Sequence, residues 1–435
     1  MRLIIANDLD DWIVKKTDIR AWALRILWFA EAGDVIIAMD QPDRDFVNYV
    51  AKMKGFDPCE LTFYIPGGNR YDGRLFDHLS LNNPEFVRAV TVDVANATDV
   101  LVNWSSPLVA VFLDQVGLAD RWPGCLVFAQ GGAELFNSKA TFRALAATAD
   151  VPIRSGMVCR SVEAAAQATS ALLARNLAVV IKTALGSAGA GNHILTVEPG
   201  LDAAGAGCKY MSVVDNDISA IVEFWRQHWS WASSSGAYPA IVEAFLPDAR
   251  TIYAEYLCDQ DGARLGVVGE LEFRSRIAAG DTVPVRNIKP DVHARLVCES
   301  QRLANVYWSL GYRGPISVDA LLSINDEVVF TEANAQITGS THLYRVILQT
   351  IAGDGRHISQ MFSPESWAIN STDHFLQILR NSGCEYDPKI RRGIIITTPR
   401  IGAGTAGPIT FSIVYGHTSE REDIMLSLQR EFDRQ

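Results

Sequence analysis

Residues 314–334 read GPISVDALLSINDEVVFTEAN, and no other stretch of the chain has so clear a secondary-structure pattern. Polar and apolar residues alternate over 315–324 and again over 327–334, which is typical of two half-buried strands. Between them, Asn325 and Asp326 can form a two-residue turn. The pattern predicts a β-hairpin whose register is fixed by burial of one face. That apolar face would carry Ile316, Val318, Ala320, Leu322 and Ile324.

The other face of this hairpin would place two acidic residues directly opposite each other. The turn aligns Asp319 with Glu332 and Ser317 with Asn334. Opposed side chains have Cβ atoms about 4.5 to 5.5 Å apart, so two negative charges there need a cation between them. Two carboxylates and the amide oxygen of Asn334 suit Mg²⁺ that also binds nucleotide phosphate. The alternative, which these residues alone leave open, is an exposed acidic hairpin without a ligand.

A second signal is a glycine-rich loop that follows an apolar strand. Lys182 ends that strand, where burying an unpaired ammonium would be costly, so an anionic partner is expected. Gly186, Ser187, Gly189 and Gly191 follow, and glycines let backbone N–H groups approach phosphate closely. Because another strand comes next, the loop is predicted to be a flap over a triphosphate. A flexible hairpin tip is the alternative.

Two further charged residues stand where a nucleotide could be held. Lys139 begins a predicted helix capped by Asn137 or Ser138, and the positive end of a helix dipole attracts phosphate as an ammonium does. Glu243 lies in AIVEAFLP, residues 240–247, a strand running into a turn that could receive an adenine edge. Alternatively, Lys139 is an ordinary surface lysine and Glu243 a solvent-facing strand residue.

Composition limits the class of protein. With 435 residues, 48% apolar and 20% charged, the chain fits a globular protein of two or three domains. A net charge of −11 argues against nucleic-acid binding, and no uncharged run is long enough to span a membrane. Seven scattered cysteines without a Cys-x-x-Cys pair argue against disulfides and zinc, and favour the cytoplasm. We expect small-molecule partners; the oligomeric state stays open, with a homodimer as one option.

The order of predicted elements divides the chain into three parts. In residues 1–130, apolar runs alternate with helical stretches, which predicts a parallel sheet wrapped by helices. Residues 131–350 would form a central domain with a lid at about 138–240, in which 201–208 looks like a flexible insertion. Residues 351–435 would form a small C-terminal lobe. The apolar runs of the first part are 3–6, 35–38, 100–102 and 126–129.

Together these motifs resemble the ATP-grasp superfamily over residues 131–350, about half of the chain. The resemblance implies an α/β (α+β) ATP-grasp fold preceded by a parallel α/β pre-ATP-grasp domain. The layout as a whole is similar to the peptide ligases of pheganomycin biosynthesis. The motifs follow the family order: Lys139, Lys182 with its glycine loop, 241–246, 311–320 and EANAQ at 332–336.

By this resemblance, ATP and Mg²⁺ are the expected cofactors. Lys139 and Lys182 would bind the α- and β-phosphates. Adenine would be received by Glu243, Ala244, Phe245 and Leu246. The implied magnesium ligands are Asp319, Glu332 and Asn334, the same three residues that the hairpin pairing selects.

The sequence departs from the ATP-grasp pattern near the predicted metal site. ATP-grasp amide ligases usually carry arginines where this chain has Ser317 and Gln336. A developing acyl phosphate still needs cations. We therefore expect Arg274 and Arg276, on a neighbouring strand, to act in catalysis, with Lys289 as a further candidate for the γ-phosphate.

The resemblance implies an ATP-dependent ligase that activates a carboxylic acid as an acyl phosphate. The amine of an amino acid or peptide would then form a C–N bond, with release of ADP and phosphate. The implied setting is the biosynthesis of peptide natural products such as antibiotics. Two other interpretations stay open: an ATP-grasp enzyme with a different acceptor, such as a carboxylase or kinase, and a nucleotide-binding protein without catalysis.

Overall fold

The structure is a computed structural model that describes residues 1–7, 23–38, 41–66, 83–175, 178–186, 189, 191–364, 366–400 and 408–434. Within these residues the strands form three sheets covered by helices. None of the helices among them is both long and apolar enough to cross a membrane.

The first sheet is parallel and has the strand order β3-β2-β1-β4. Its first two strands are fully buried, as expected for a parallel sheet covered on both faces. The predictions for β1, β2 and β4 are confirmed, whereas the three-residue β3 was too short to be predicted. The strands are β1 (Leu3–Ala6), β2 (Val35–Ala38), β3 (Thr62–Tyr64) and β4 (Val100–Val102).

The strand predicted at 126–129 is wrong, because these residues belong to the helix Cys125–Ala129. A short apolar run does not by itself distinguish a strand from a turn of helix. Here the run has only one buried side: Phe128 is 1% exposed and Leu126 is 83% exposed. Gly124, at φ 82°, starts the helix in a left-handed conformation that favours glycine.

The second sheet, called the lid below, spans residues 156–244, which overlap the segment predicted as a lid, and has the order β5-β9-β6-β7-β8. Two helices cover it, and Ser161 caps the first of them as predicted. The lid has a hydrophobic core of its own, which includes Trp225 and Ile221 from the second helix. Its strands are β5 (Gly156–Cys159), β6 (Ala178–Thr183), β7 (Asn192–Thr196), β8 (Tyr210–Val213) and β9 (Ala240–Ala244), and its helices are Val162–Leu173 and Ile218–Ala232.

The third sheet has eight strands in the order β14-β13-β10-β11-β12-β15-β17-β16. Its last three strands come from the part predicted as a C-terminal lobe, so that part continues the central sheet rather than building one of its own. This sheet and the first one share a single hydrophobic core. The strands are β10 (Arg250–Cys258), β11 (Ala263–Arg274), β12 (Ile277–Val283), β13 (Gly314–Leu322), β14 (Val328–Asn334), β15 (His357–Phe362), β16 (Gly393–Thr398) and β17 (Thr410–Tyr415).

The remaining helices surround these sheets. The α-helices are Arg44–Lys54, Pro84–Asp93, Pro107–Gln115, Gly132–Asn137, Lys139–Thr148, Pro290–Ser309, Thr372–Asn381 and Thr418–Phe432. Shorter 3-10 helices are Leu24–Phe29, Pro58–Glu60 and Ala119–Arg121, and Leu343–Ala352 is a π-helix.

Candidate functional site

The strands β13 and β14 form the predicted hairpin, with the predicted pairs at its base. Asp319 pairs with Glu332, and Ser317 pairs with Asn334. Val318, on the opposite face of β13, is fully buried in the core. The acids therefore share one face of the sheet, and this face turns toward the lid.

The turn of the hairpin differs from the prediction. Ser323 and Glu327 still form a backbone hydrogen bond of 2.9 Å, so the loop has three residues, of which Asp326 has a φ of 63°. A three-residue loop alone would shift every pair by one. The register changes again beside Asp319, where Thr331 is an extra residue on β14. This bulge compensates for the longer turn and restores the predicted pairing at the acids.

The two acids of the hairpin have different electrostatic environments. Glu332 Oε2 lies 2.7 Å from the Lys139 ammonium. Asp319 instead accepts neutral hydrogen bonds, from Ser317 Oγ at 2.7 Å and from Asn334 Nδ2 at 3.0 Å. Burial, together with the charge of Glu332, raises the pKa of Asp319 well above its ordinary value. Burial also acts to raise the pKa of Glu332, but the charges of Lys139 and Lys182 outweigh it and lower that pKa.

Lys139 reaches this pair from the first turn of its helix. Ser138 caps the helix by accepting a hydrogen bond from the backbone of Thr141. The Lys139 ammonium also donates to the carbonyl of Gly186, 2.9 Å away, and so connects the glycine loop of the lid to Glu332. The cation expected between the two acids is therefore present as Lys139, which lies beside Glu332 rather than between the pair.

Lys182 belongs to a buried chain of charges under the lid. Its ammonium lies 2.7 Å from Glu243 Oε2, and Arg143 lies 2.6 Å from Oε1 of the same carboxylate. The anionic partner expected for Lys182 is therefore supplied within the protein. Because two cations hold the Glu243 side chain, the turn after β9 offers a ligand mainly its backbone. Arg154 donates to the carbonyls of Ala244 and Phe245 in that turn, at 3.3 Å each.

A cavity of about 320 Å³ lies between the lid, the central sheet and the N-terminal part. Its lining combines charged groups from the hairpin with apolar side chains from the lid. Nine of the predicted site residues line it: Lys182, Gly189, Glu243, Ala244, Phe245, Leu246, Asp319, Glu332 and Asn334.

The other predicted nucleotide-binding residues lie around this cavity or outside the described residues. Gly186 is bonded to Lys139, and the carbonyl of Gly191 accepts the backbone N–H of Thr183 at 2.9 Å. Ser187 lies outside the described residues. Lys289 is not brought to the cavity: its exposed ammonium pairs with Asp326, 2.5 Å away, at the tip of the hairpin.

Arg274 and Arg276 also do not line the cavity. They stand at the turn between β11 and β12, where Arg276 has a φ of 71°. The backbone of Arg276 bonds to Ala204 at 2.8 Å and to Cys208 at 3.3 Å. Residues 201–208 are therefore not a free insertion, and their second half, 205–208, forms part of the cavity wall.

Several lining residues were missed from the sequence. Arg25 is on the 3-10 helix Leu24–Phe29, which Trp28 anchors to the central sheet through a 3.1 Å hydrogen bond to the carbonyl of Thr397. Nη2 of Arg25 lies 3.5 Å from the carbonyl oxygen of Ile337, so the guanidinium lies beside the segment after β14. Arg25 and Ile337 are far apart in the sequence, so no local pattern predicts that they lie close together. Other missed lining residues are Trp104, Arg154, Tyr253, Phe273 and Asp281.

The hairpin acids fit Mg²⁺ better than a closed metal site. Among the described residues, no three His, Cys, Asp or Glu side chains come together as a metal cage. Asp319 and Glu332 place two carboxyl groups beside one close cation, Lys139, and Asn334 adds an amide. Mg²⁺ is commonly held by one or two carboxylates and completed by water and substrate phosphates. The donor set matches that pattern.

Comparisons with known proteins agree with this architecture. Residues 23–118 match the pre-ATP-grasp domain family. Over its whole length the chain superposes on an ADP complex of N5-carboxyaminoimidazole ribonucleotide synthetase, with a TM-score of 0.59 and 11% identity, covering 100% of this chain and 96% of that one. The chain has the ATP-grasp fold.

Two further solved structures share the ATP-grasp fold with this chain. Biotin carboxylase from Campylobacter jejuni, in a complex with a β,γ-ATP ligand, has a TM-score of 0.60 at 12% identity, covering 98% of this chain and 90% of that one. The N5-carboxyaminoimidazole ribonucleotide synthetase from Thermus thermophilus has a TM-score of 0.58 at 11% identity, covering 99% and 98%. None of the curated protein sequences is a match for this chain.

Proposed function

We propose that this chain is an ATP-dependent ligase that activates a carboxylic acid as an acyl phosphate and joins it to an amine. The observation that carries the proposal is the cavity in which Lys182 faces Asp319, Glu332 and Asn334 beneath the lid. A buried lysine beside paired acids is suited to a triphosphate and its metal. The ATP-grasp fold supports this assignment.

The charged residues would act by positioning and by compensating charge, which is most of what phosphoryl transfer needs from a protein. Mg²⁺ held by Asp319, Glu332 and Asn334 would neutralise negative charge on the phosphates. Lys139 and Lys182 would contact phosphate oxygens. In the structure both ammonium groups are already held by carboxylates at 2.7 Å, so they are positioned before a ligand binds.

A cation is also needed where the acid becomes an acyl phosphate. Arg274 and Arg276 do not line the cavity, whereas Arg25 does. We assign Arg25 to the substrate carboxylate, because its guanidinium lies beside the segment that follows Asn334 and Gln336. This would replace the arginines that the family pattern places at the hairpin.

The lid would exclude water while the acyl phosphate waits for the amine. Gly189 and residues 205–208 form the lid side of the cavity wall. A lid with its own core can close as a unit without disturbing the main core. Excluding water protects a reactive anhydride from hydrolysis.

The amine of an amino acid or peptide is the acceptor we propose, with peptide natural products, including antibiotics, as the setting. This part rests on the resemblance of the sequence layout to that of the pheganomycin-type peptide ligases. A second candidate is an ATP-dependent carboxylase, in which bicarbonate would be the acid. It is favoured by the solved structures with this fold, which are two synthetases of carboxyaminoimidazole ribonucleotide and a biotin carboxylase.

ADP release from the purified protein with ATP and Mg²⁺ tests both candidates. A ligase should release ADP continuously only when a carboxylic acid and an amine are present together, and mass spectrometry should find the amide. Release that requires bicarbonate would favour the carboxylase. No release under any combination would leave only a nucleotide-binding protein.

The hairpin supplies a matched pair of variants for this assay. Glu332→Gln removes a charge beside Lys139, and Glu327→Gln removes one from the exposed turn of the same hairpin. The first should reduce turnover by at least about a hundredfold, since several kcal/mol of charge stabilisation are at stake. The second should leave turnover unchanged.

A further inference from the structure

The cavity extends beyond the hairpin acids to a buried carboxylate that the proposed chemistry does not use. Asp281 lies on β12 and lines the same cavity as Asp319. The two strands are separated by β10 and β11, with Asp319 paired to Tyr253 and Asp281 paired to Leu271. Neighbouring strands are about 4.8 Å apart, so the strands that carry the two carboxylates lie roughly 14 Å from each other across the sheet.

Asp281 is a buried acid that no cation of the described residues pairs with. It is 6% exposed, and among the described residues no Lys, Arg or His nitrogen lies within 4.0 Å of its carboxylate. The side chain that donates to it is Tyr253, whose hydroxyl lies 2.6 Å from Oδ1. The charged groups that act on it are themselves acids, Glu255 and Glu272. A buried carboxylate without a positive partner is costly, so a cation supplied by a ligand would be favoured there.

The other buried acid in this region is satisfied differently. Glu255 is fully buried and accepts hydrogen bonds from the hydroxyls of Thr338, Ser340 and Thr341. Three donors leave it little capacity for a ligand. Glu255 does not line the cavity and offers a ligand no binding group, so Asp281 is left as the carboxylate that a ligand can reach at this end.

The contact between Tyr253 and Asp281 depends on a glycine. Gly269 lies on β11, between the strands that carry the two residues. A Cβ at Gly269 would lie 2.2 Å from Cζ of Tyr253, so only glycine lets the phenol ring cross β11 and reach Asp281. Phe273 and Trp104 add aromatic lining to the cavity, and aromatic faces attract cations.

We propose that Asp281 binds a cationic group, an ammonium or a guanidinium, on the amine substrate. The reacting amine would lie between the hairpin acids and Asp281, and the cationic group would lie beside Asp281. The substrate class is therefore an amine with a second, distal nitrogen cation, such as a diamino acid, an arginine-like amino acid or a peptide ending in one. The inference rests on the proposed function, because it takes the opposite end of the cavity as the nucleotide site.

The state of Asp281 in the free protein agrees with this assignment. Burial, with the charges of Glu255 and Glu272, raises the pKa of Asp281 to about 8. A cation placed beside the carboxylate would favour its ionised form and lower that pKa again.

Calorimetric titration of matched amides tests the inference without turnover. L-arginine amide, L-lysine amide and L-norleucine amide share the α-amine and differ in the distal cation. Each is titrated into the protein saturated with Mg²⁺ and a non-hydrolysable ATP analogue, and into the protein alone. We expect at least one cationic amide to bind about tenfold or more tightly than the norleucine amide. A hydrogen bond to a charged group contributes about enough free energy for that difference in affinity. Comparing arginine with lysine amide distinguishes guanidinium from ammonium.

Asp281→Asn should abolish this preference while keeping an acceptor for the Tyr253 hydroxyl. Asp354→Asn, at an exposed loop position, is the control and should retain it. The inference is overturned if the wild type binds all three amides equally or binds none of them. It is also overturned if the preference persists in Asp281→Asn. The wild-type comparison holds even if the variant does not fold. A separate titration measures binding of the ATP analogue itself. If the analogue does not bind, the proposed function is refuted instead.

Discussion

Glu243→Gln removes the shared anion of the buried chain Arg143–Glu243–Lys182. The two contacts are 2.6 and 2.7 Å long, and all three side chains are less than one-tenth exposed. The variant would leave two buried cations with only one amide oxygen between them. Breaking a buried ion pair on one side costs about 3–5 kcal/mol, and we expect the lower end of this range because Gln still accepts one hydrogen bond.

This loss should fall mainly on the lid, because Lys182 and Glu243 lie on lid strands whose core is separate from that of the other two sheets. Hydrogen exchange of peptides from β6 and β9, followed by mass spectrometry, measures the free energy of local opening. Glu223→Gln, in an exposed pair with Arg226 on a lid helix, is the matched control and should change this free energy by less than about 0.5 kcal/mol. Equal protection in the two variants would refute the reasoning.

Binding of MgADP should also stabilise Glu243→Gln more than it stabilises the wild type. In the variant, phosphate would supply the anion that Lys182 has lost. We expect hydrogen exchange of the lid to differ less between the variant and the wild type when nucleotide is bound than when it is absent. An unchanged difference would mean that Lys182 does not contact the nucleotide.

Three other predictions follow from single residues. Gly269→Ala should destabilise the protein by about 1–3 kcal/mol in urea unfolding because its Cβ would collide with Tyr253, whereas Gly205→Ala, with open space around it, should be neutral. His193 has its pKa lowered to about 4 by burial and by His228, so the unfolded chain binds its proton first and stability is lost as pH falls from about 6.5 toward 4. His193→Asn should reduce the loss between pH 7 and pH 5 measured by urea unfolding, and an unchanged loss would contradict this. Asp319→Asn should weaken Mg²⁺-dependent ADP binding by at least about tenfold in calorimetry and leave metal-free binding little changed, because the proposed function assigns this residue to the metal rather than to the base.

The parts of the site that follow local periodicity could be predicted. Alternation places Asp319 and Glu332 on one face of a hairpin because side chains on a strand point to opposite sides in turn. The helix start at Lys139 and the strand-loop-strand around Lys182 depend on caps, glycines and apolar runs that are also local. Even here the turn was wrong by one residue, and only the bulge at Thr331 preserved the pairing.

Errors arose where one pattern permits two structures. The run at 126–129 is short and apolar, which suits a strand as well as a helical turn, and packing on one side selected the helix. Residues 201–208, poor in core-forming side chains, looked like an insertion. Backbone hydrogen bonds join Ala204 and Cys208 to Arg276, and residues 205–208 form part of the cavity wall. Composition carries no information about such bonds.

The sequence by itself determined the ATP-grasp order of motifs, the acidic hairpin and the lysines near it, because these depend on neighbours along the chain. Only the tertiary structure decided that Arg25 reaches the cavity, that Lys289 does not, and that Asp281 is buried there with no cation from the described residues beside it. Those placements result from packing between residues 28 to 312 positions apart, where strand order and helix docking set the distance and spacing along the chain does not.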